Sequence, residues 1–319
     1  MKKCNFDFIG NKKIFFGISL GIMLIGLICN FIFGTQLDIQ FSGGAIVKYS
    51  YTGDVDENRL EDVIQKATEK TVTIQINKNV VSASGAETKN NVSVEFSGNE
   101  ALSLDQQKTM TTALLEAFPD HQFEQIESSS VNPSMGHTFF LKCMVAIGLA
   151  SLLMVVYVAF RFKKIGGWSA GVMALVALVH DVIMIYFTFV IFRLPIDDNF
   201  IAVVLMILGY SLNDTIVIYD RVRENRRLRG PKADVAELVN NSINQTLGRT
   251  INTTLSTAIA IGTVLVVALI FHLPSVVTFA LPMLIGIISG CYSTISIAGP
   301  LWVMWQKHKQ KKQTLTEKK

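Results

Sequence analysis

A carboxylate inside an apolar helix can take up a proton, bind a cation or hold a neighbouring helix. Residues 208–225, LGYSLNDTIVIYDRVREN, place Asp214 in such a run, beside Asn213 and six residues before the charged pair Asp220 and Arg221. At about 1.5 Å per residue, Asp214 lies roughly 9 Å inside the boundary if the run spans a membrane. A charge there costs about 2.5–3.5 kcal/mol on insertion scales, so it requires a partner or a function. A second polar pair, His180 and Asp181, stands near the middle of another apolar run. Adjacent residues on a helix point about 100° apart, so these two are not expected to pair with each other. Hydrogen bonds to a neighbouring helix or a water-filled cavity are their plain reading; a proton or ion path is the sharper one. Arg249 is the natural counter-charge for Asp214. It opens a polar stripe in which Arg249, Thr253, Ser256 and Ala260 follow i, i+4, i+7, i+11 spacing and share a face. The alternative is that Arg249 snorkels to the lipid surface. A carboxylate so placed accepts H⁺ or Na⁺.

The elements that position these residues are membrane helices. Half of the 319 residues are hydrophobic and only 17% are charged, a balance that soluble domains rarely show. Apolar runs lie at 14–33 and near 138–160, 169–192, 199–220, 250–271 and 276–305, six in all. Lys2, Lys3, Lys12 and Lys13 precede the first, and no A-x-A-like site follows it, so a retained signal-anchor is expected. Basic clusters at Lys2–Lys13, Arg161–Lys164, Arg221–Lys232 and from Lys307 onward alternate with loops poor in lysine and arginine. The positive-inside rule then makes 1–13 and the tail 306–319 cytoplasmic and 34–137 extracytoplasmic, with 138–305 carrying spans two to six. Arg223, Arg226, Arg227 and Arg229 read as an orienting cytoplasmic face, with contact to anionic lipid as the lesser reading. In the last run Gly286 and Gly290 form a small-xxx-small face for close helix packing. The small net charge of +4, spread in short clusters, suits membrane topology better than nucleic-acid binding. Cys4, Cys29, Cys143 and Cys291 lack zinc-type spacing and read as free thiols.

Residues 34–137 are polar and cysteine-free. Ala45–Tyr51, Thr71–Asn77, Val92–Phe96 and Gln122–Ser128 read as strands, and Val55–Glu69 and Leu104–Phe118 show helical spacing. The order β-α-β-β-α-β predicts a ferredoxin-like α+β domain, with Asn77–Asn91 as a hairpin loop. No P-loop, catalytic triad or metal-ligand set appears, so neither an enzyme nor a metal or cofactor site is expected. A binding or lever domain fits better.

The stretches 208–225 and SINQTLGRTINTTLST (242–257) closely resemble the SecF-type subunits of the bacterial SecD/SecF protein-export family. The similarity continues at YVAFRF (157–162), LVHDV (178–182), LIGIISGCYSTISIAGPL (284–301) and QFSGG (40–44). Tyr210, Ser211, Asn213, Asp220 and Arg221 support the first motif, and Thr253 and Ser256 the second. The sequence departs from the family pattern at Asn132, where glycine is usual, and at Thr138, where an acid is usual.

The resemblance implies an RND-like half bundle, distantly similar to proton-driven efflux pumps, that pairs with SecD into twelve helices. It implies the SecYEG channel, and with it YajC and YidC, as further partners, and a translocating preprotein as substrate. Asp214 and Arg249 match the acid and arginine of the family's cation path, and Asp181 and His180 are placed with them. Two rival functions fit buried acids equally: half of a small-molecule or lipid exporter, or a non-transporting scaffold of the translocase.

Overall fold

The computed structural model describes residues 6–316 except 39–40, 42, 71, 82–87, 98–101, 132, 231–232 and 272. Lys2, Lys3, Cys4, Gln40, Ser42, Thr71, Asn132 and Lys232 thus lie outside the described residues. Among the latter, six helices are long and apolar enough to cross a membrane. The first, α1 (Lys12–Phe33), leads into a sheet domain: β1 (Gly44–Tyr51), α2 (Glu57–Thr68), β2 (Val72–Val81), β3 (Thr88–Ser97), α3 (Leu104–Ala117) and β4 (Glu124–Val131). The bundle then continues with α4 (Pro133–Arg161), α5 (Gly167–Ile191), α6 (Asp198–Arg229), α7 (Val235–Ile270) and α8 (Pro274–Ser293). A π-helical turn, Thr294–Ala298, joins α8 to α9 (Gly299–Thr316) within the sixth span.

The sheet has the order β2-β3-β1-β4 with every pair antiparallel, the ferredoxin-like arrangement. Strand alternation puts Val47, Tyr49, Val92, Val94 and Phe96 on one face, where they bury against Leu60, Ile64, Met110 and Leu114 of the two helices. Asp56 caps α2 by accepting from the Asn58 amide, and Ser103 and Gln106 form a capping box on α3. The expected hairpin loop at 77–91 is shorter than its polar composition indicates. Val80 pairs with Lys89 and Val81 with Thr88, the ladder resuming after an irregularity that follows Asn77. The β-branched Val80 and Val81 favour the extended backbone in which the ladder resumes.

The fourth and fifth helices also outrun their apolar cores. Beyond residue 220, α6 continues to Arg229, and α7 begins at Val235, not near 250. Polar cross-links satisfy these extensions: Asn225 Nδ2 donates to Ser242 Oγ and Gln245 Oε1, each at 2.8 Å, and Arg229 meets Glu237 at 2.7 Å. Asp234 caps α7 through the Glu237 amide. Close helix contacts inside the bundle rest on glycine. A methyl at Gly167 would stand 2.1 Å from the Ala159 carbonyl oxygen, and one at Gly26 would stand 2.3 Å from the Phe187 ring.

The sheet domain is fixed to the bundle in two ways. Leu37, after α1, forms a parallel bridge with Ile196 between α5 and α6; the Asp38 amide donates to Ile196 O at 3.1 Å and the Ile196 amide to Gln36 O at 2.8 Å. Phe41 is buried against Phe139 and Phe140 of α4, with ring centroids 5.6 and 5.4 Å away. On the other side, β4 ends at Val131 and α4 starts at Pro133.

The sheet face away from α2 and α3 overlies the bundle. Lys48, Ser93 and Glu95 line a cleft of about 890 Å³ whose far wall carries Asp197, Asp198 and Thr278. Burial, and then the charge of Asp38, push the Glu95 carboxyl up from 4.5 to about 7. A carboxyl raised in the folded state contributes stability below its unfolded value, and loses it as pH rises through about 7. Hydrogen exchange of β3 amides in the full-length protein should therefore be slower at pH 5.5 than at pH 8, after correction for intrinsic rates. Glu95→Gln should flatten that difference; an unchanged pH dependence in the variant would assign it to another group.

Candidate functional site

The Asp181 carboxylate is fully buried at the centre of the bundle. Its Oδ2 accepts from Ser211 Oγ of α6 at 2.8 Å and from Ser293 Oγ of α8 at 2.7 Å. Its Oδ1 accepts from Ser289 Oγ at 2.7 Å and lies 3.1 Å from His180 Nδ1. The other nitrogen of the ring, Nε2, meets Ser19 Oγ of α1. One carboxylate thus gathers α5, α6 and α8 directly and α1 through the imidazole. A buried charge is tolerated where hydrogen bonds replace its hydration, and here four groups do so.

This corrects the expectation that His180 and Asp181 do not pair. Their Cα–Cβ bonds diverge as helix geometry demands, but two rotatable bonds in each side chain bring Nδ1 to Oδ1 across the helix surface. Of the serines completing the site, Ser211 is marked by its motif, whereas nothing in the sequence singles out Ser289 and Ser293 as donors. Ser289 and Ser293 sit at i, i+4 on an apolar helix, among the small residues expected only to pack. Gly286 and Gly290 do face α6: a methyl at Gly286 would meet Ile207 at 2.8 Å, and one at Gly290 would meet Ser211 Cβ at 3.0 Å. The absent side chains let Ser211 approach the acid. The π turn begins beside it, where Thr294 Oγ1 stands 3.1 Å from Thr215 Oγ1.

Asp214 lies one turn along α6 from Ser211. It is 3% exposed, and its Oδ2 has no hydrogen-bond partner among the described residues. Thr250 and Thr254 of α7 share this condition: both hydroxyls are buried and unpartnered. Arg249 is near enough to act electrostatically on Asp214. It is solvent- or lipid-exposed, however, and forms no ion pair with the acid among the described residues. The expected Asp214–Arg249 salt bridge is therefore absent from this conformation. The buried face of α7 is also rotated by one residue from the expected one. Thr246, Thr250 and Thr254 turn inward, while Arg249, Asn252, Thr253 and Ser256 are exposed. The i, i+4 spacing was read correctly but gives no phase, because two adjacent polar stripes run along this helix.

The remaining motif residues border the site. Tyr210 OH reaches Thr257 Oγ1 at 3.5 Å, and Asn213 is exposed beside Asp214. Asp220 pairs with Arg161 at 3.2 Å and Arg223 at 2.6 Å, and Arg221 with Glu224 and Gln245 at the basic end of the bundle. Cys29, Cys143 and Cys291 are free.

Residues 110–308 match the family model described as protein export membrane protein SecD/SecF, C-terminal. Protein translocase subunit SecF of Alicyclobacillus acidocaldarius is 31% identical over 99% of the chain and 98% of its own length. Protein translocase subunit SecDF of Bacillus subtilis is 31% identical over 96% of the chain, which spans 39% of that longer protein. The crystal structure of SecDF from Thermus thermophilus, a translocon-associated membrane protein, superposes with a TM-score of 0.76 at 27% identity. The match covers 95% of this chain and 39% of that one.

Removing the central acceptor strands three serine hydroxyls and an imidazole. Asp181→Ala should lower stability by about 3 kcal/mol or more, read as thermal unfolding in detergent. Thr253→Ala, on the exposed face of α7, should stay within about 0.5 kcal/mol. Equal, small effects would show that the carboxylate does not organise the bundle.

Proposed function

The chain belongs to the SecD/SecF family of protein-export membrane proteins, and on that premise we propose that with SecD it uses cation flow, of protons in the first place, to promote preprotein export. Its six apolar helices and its family make it a multi-pass protein of the bacterial cytoplasmic membrane. The carrying observation is Asp214, a carboxylate buried to 3% exposure with one oxygen unpartnered, in electrostatic range of Arg249. When charged, it is drawn toward Arg249; when protonated, it loses that attraction, and α6 and α7 are free to slide. Ser211, a turn away, carries the displacement into the Asp181 and His180 network, the fixed end of the coupling path. Moving one charge through 100 mV supplies about 2.3 kcal/mol, enough to bias a two-state element.

The alternation of basic loops supports placing both termini in the cytoplasm and 34–137 outside, where the sheet domain meets emerging preprotein. The exposed row Asn213, Arg249, Asn252, Thr253 and Ser256 lies on helices of membrane length, where contact with lipid tails is unfavourable. A partner bundle covering it meets that requirement, and relatives that carry SecD and SecF in one chain supply the identity of the partner. The SecYEG channel, with YajC and YidC, completes the assembly in this reading.

Export of a preprotein into inverted vesicles under an imposed proton gradient tests the mechanism. Asp214→Asn should insert normally, yet lose the gradient-dependent part of export. If the variant responds to the gradient as wild type does, Asp214 only holds helices, and the non-transporting scaffold takes over.

A further inference from the structure

Several basic residues at the end of the bundle opposite the sheet domain are ion-paired. Arg161 and Arg223 share Asp220, Arg221 meets Glu224, Arg229 meets Glu237, and Lys307 lies 3.8 Å from Asp234. Lys163, Lys164, Arg226 and Lys309 form no ion pair among the described residues, and all four line a single pocket of about 580 Å³. No carboxylate lines it. The lining of this pocket thus holds four cations and no anion, while Lys164 and Arg226 also border a neighbouring pocket that carries Asp220 and Glu224.

The walls define the ligand further. One is the N-terminal turn of α5 at Gly166–Ser169, whose first amides have no acceptor within the helix and add a partial positive charge. Ser169 is held by Trp302 Nε1 at 3.2 Å and Gln306 Nε2 at 3.0 Å, which fixes this turn against α9. Trp168 and Trp305 flank the pocket at 66% and 52% exposure, the placement of interfacial aromatic anchors. From Trp168, the exposed residues Val172, Val176 and Val179 follow i+4, i+8 and i+11 along α5. A cationic pocket, then indoles, then an apolar track is the polarity profile of one phospholipid molecule.

We propose that this pocket binds the headgroup of an anionic phospholipid, its phosphate among Lys163, Lys164, Arg226 and Lys309 and its acyl chain along Val172, Val176 and Val179. The proposal is independent of the export reading. A lipid seated here contacts α5, α6 and α9 together and ties lipid composition to the packing of helices that carry Asp181 and Asp214.

Tryptophan fluorescence tests it, since Trp168 and Trp305 face the pocket while Trp302 is buried and constant. The full chain is reconstituted in phosphatidylcholine vesicles carrying increasing fractions of brominated phosphatidylglycerol or brominated phosphatidylcholine. Quenching by the anionic lipid should reach half-maximum at a lower fraction, by roughly fivefold for each cation engaged. Lys163→Gln/Lys164→Gln/Lys309→Gln should bring that curve to within roughly fivefold of the phosphatidylcholine curve, the remainder belonging to Arg226, and the phosphatidylcholine curve itself should not move. Lys12→Gln/Lys13→Gln/Lys311→Gln removes as much charge elsewhere and should leave the preference intact. Coincident curves in the wild type, or equal loss in both triple variants, would overturn the proposal. So would relief of quenching by excess inorganic phosphate or poly-glutamate, which would make the occupant a soluble anion or an acidic protein segment.

Discussion

A carboxylate that cannot reach water must be given its hydration by the protein, and the bundle is assembled around one that is. Asp181 collects serine hydroxyls from α6 and α8 and the imidazole of its own neighbour, which in turn reaches α1. Each donor is useful only at one rotation and one height of its helix. The arrangement therefore specifies how four helices stand relative to one another, which apolar packing alone does loosely. Gly290 is part of the same constraint, because any side chain there would separate Ser289 and Ser293 from Ser211.

Against that saturated acid stands a hungry one. Asp214 shares a helix with Ser211 but has an unpartnered oxygen, and α7 carries buried, unpartnered hydroxyls at Thr250 and Thr254. The two buried carboxylates thus differ in kind: Asp181 is saturated with hydrogen bonds and Asp214 is not. In the proposed mechanism the moving part needs a stationary reference, and the Asp181 network reaches the same helix through Ser211.

Much of this was legible in the sequence, for identifiable reasons. Six runs of aliphatic residues and a β-α-β-β-α-β pattern follow from periodicity, so helix number and sheet topology could be read directly. Asp214 and Asp181 stood out because charge is rare in apolar surroundings. What stayed hidden was phase and reach. The residues of α7 alternate polar stripes so closely that Thr250 and Thr254 could not be told from Arg249 and Thr253. Serine in a membrane helix looks like packing, and only the third dimension turned Ser289 and Ser293 into donors. The joint between His180 and Asp181 was missed because backbone directions were taken for side-chain directions.

The mounting of the sheet domain has a mechanical meaning. One side is a strand, β4, that passes into the membrane helix α4 with a single residue between them. The other is the short Leu37–Ile196 bridge, which ends on the loop between α5 and α6. A body held at two points on different helices does not simply rise and fall when those helices shift unequally. It tilts, because unequal displacement of the two points turns it about an axis perpendicular to the line joining them.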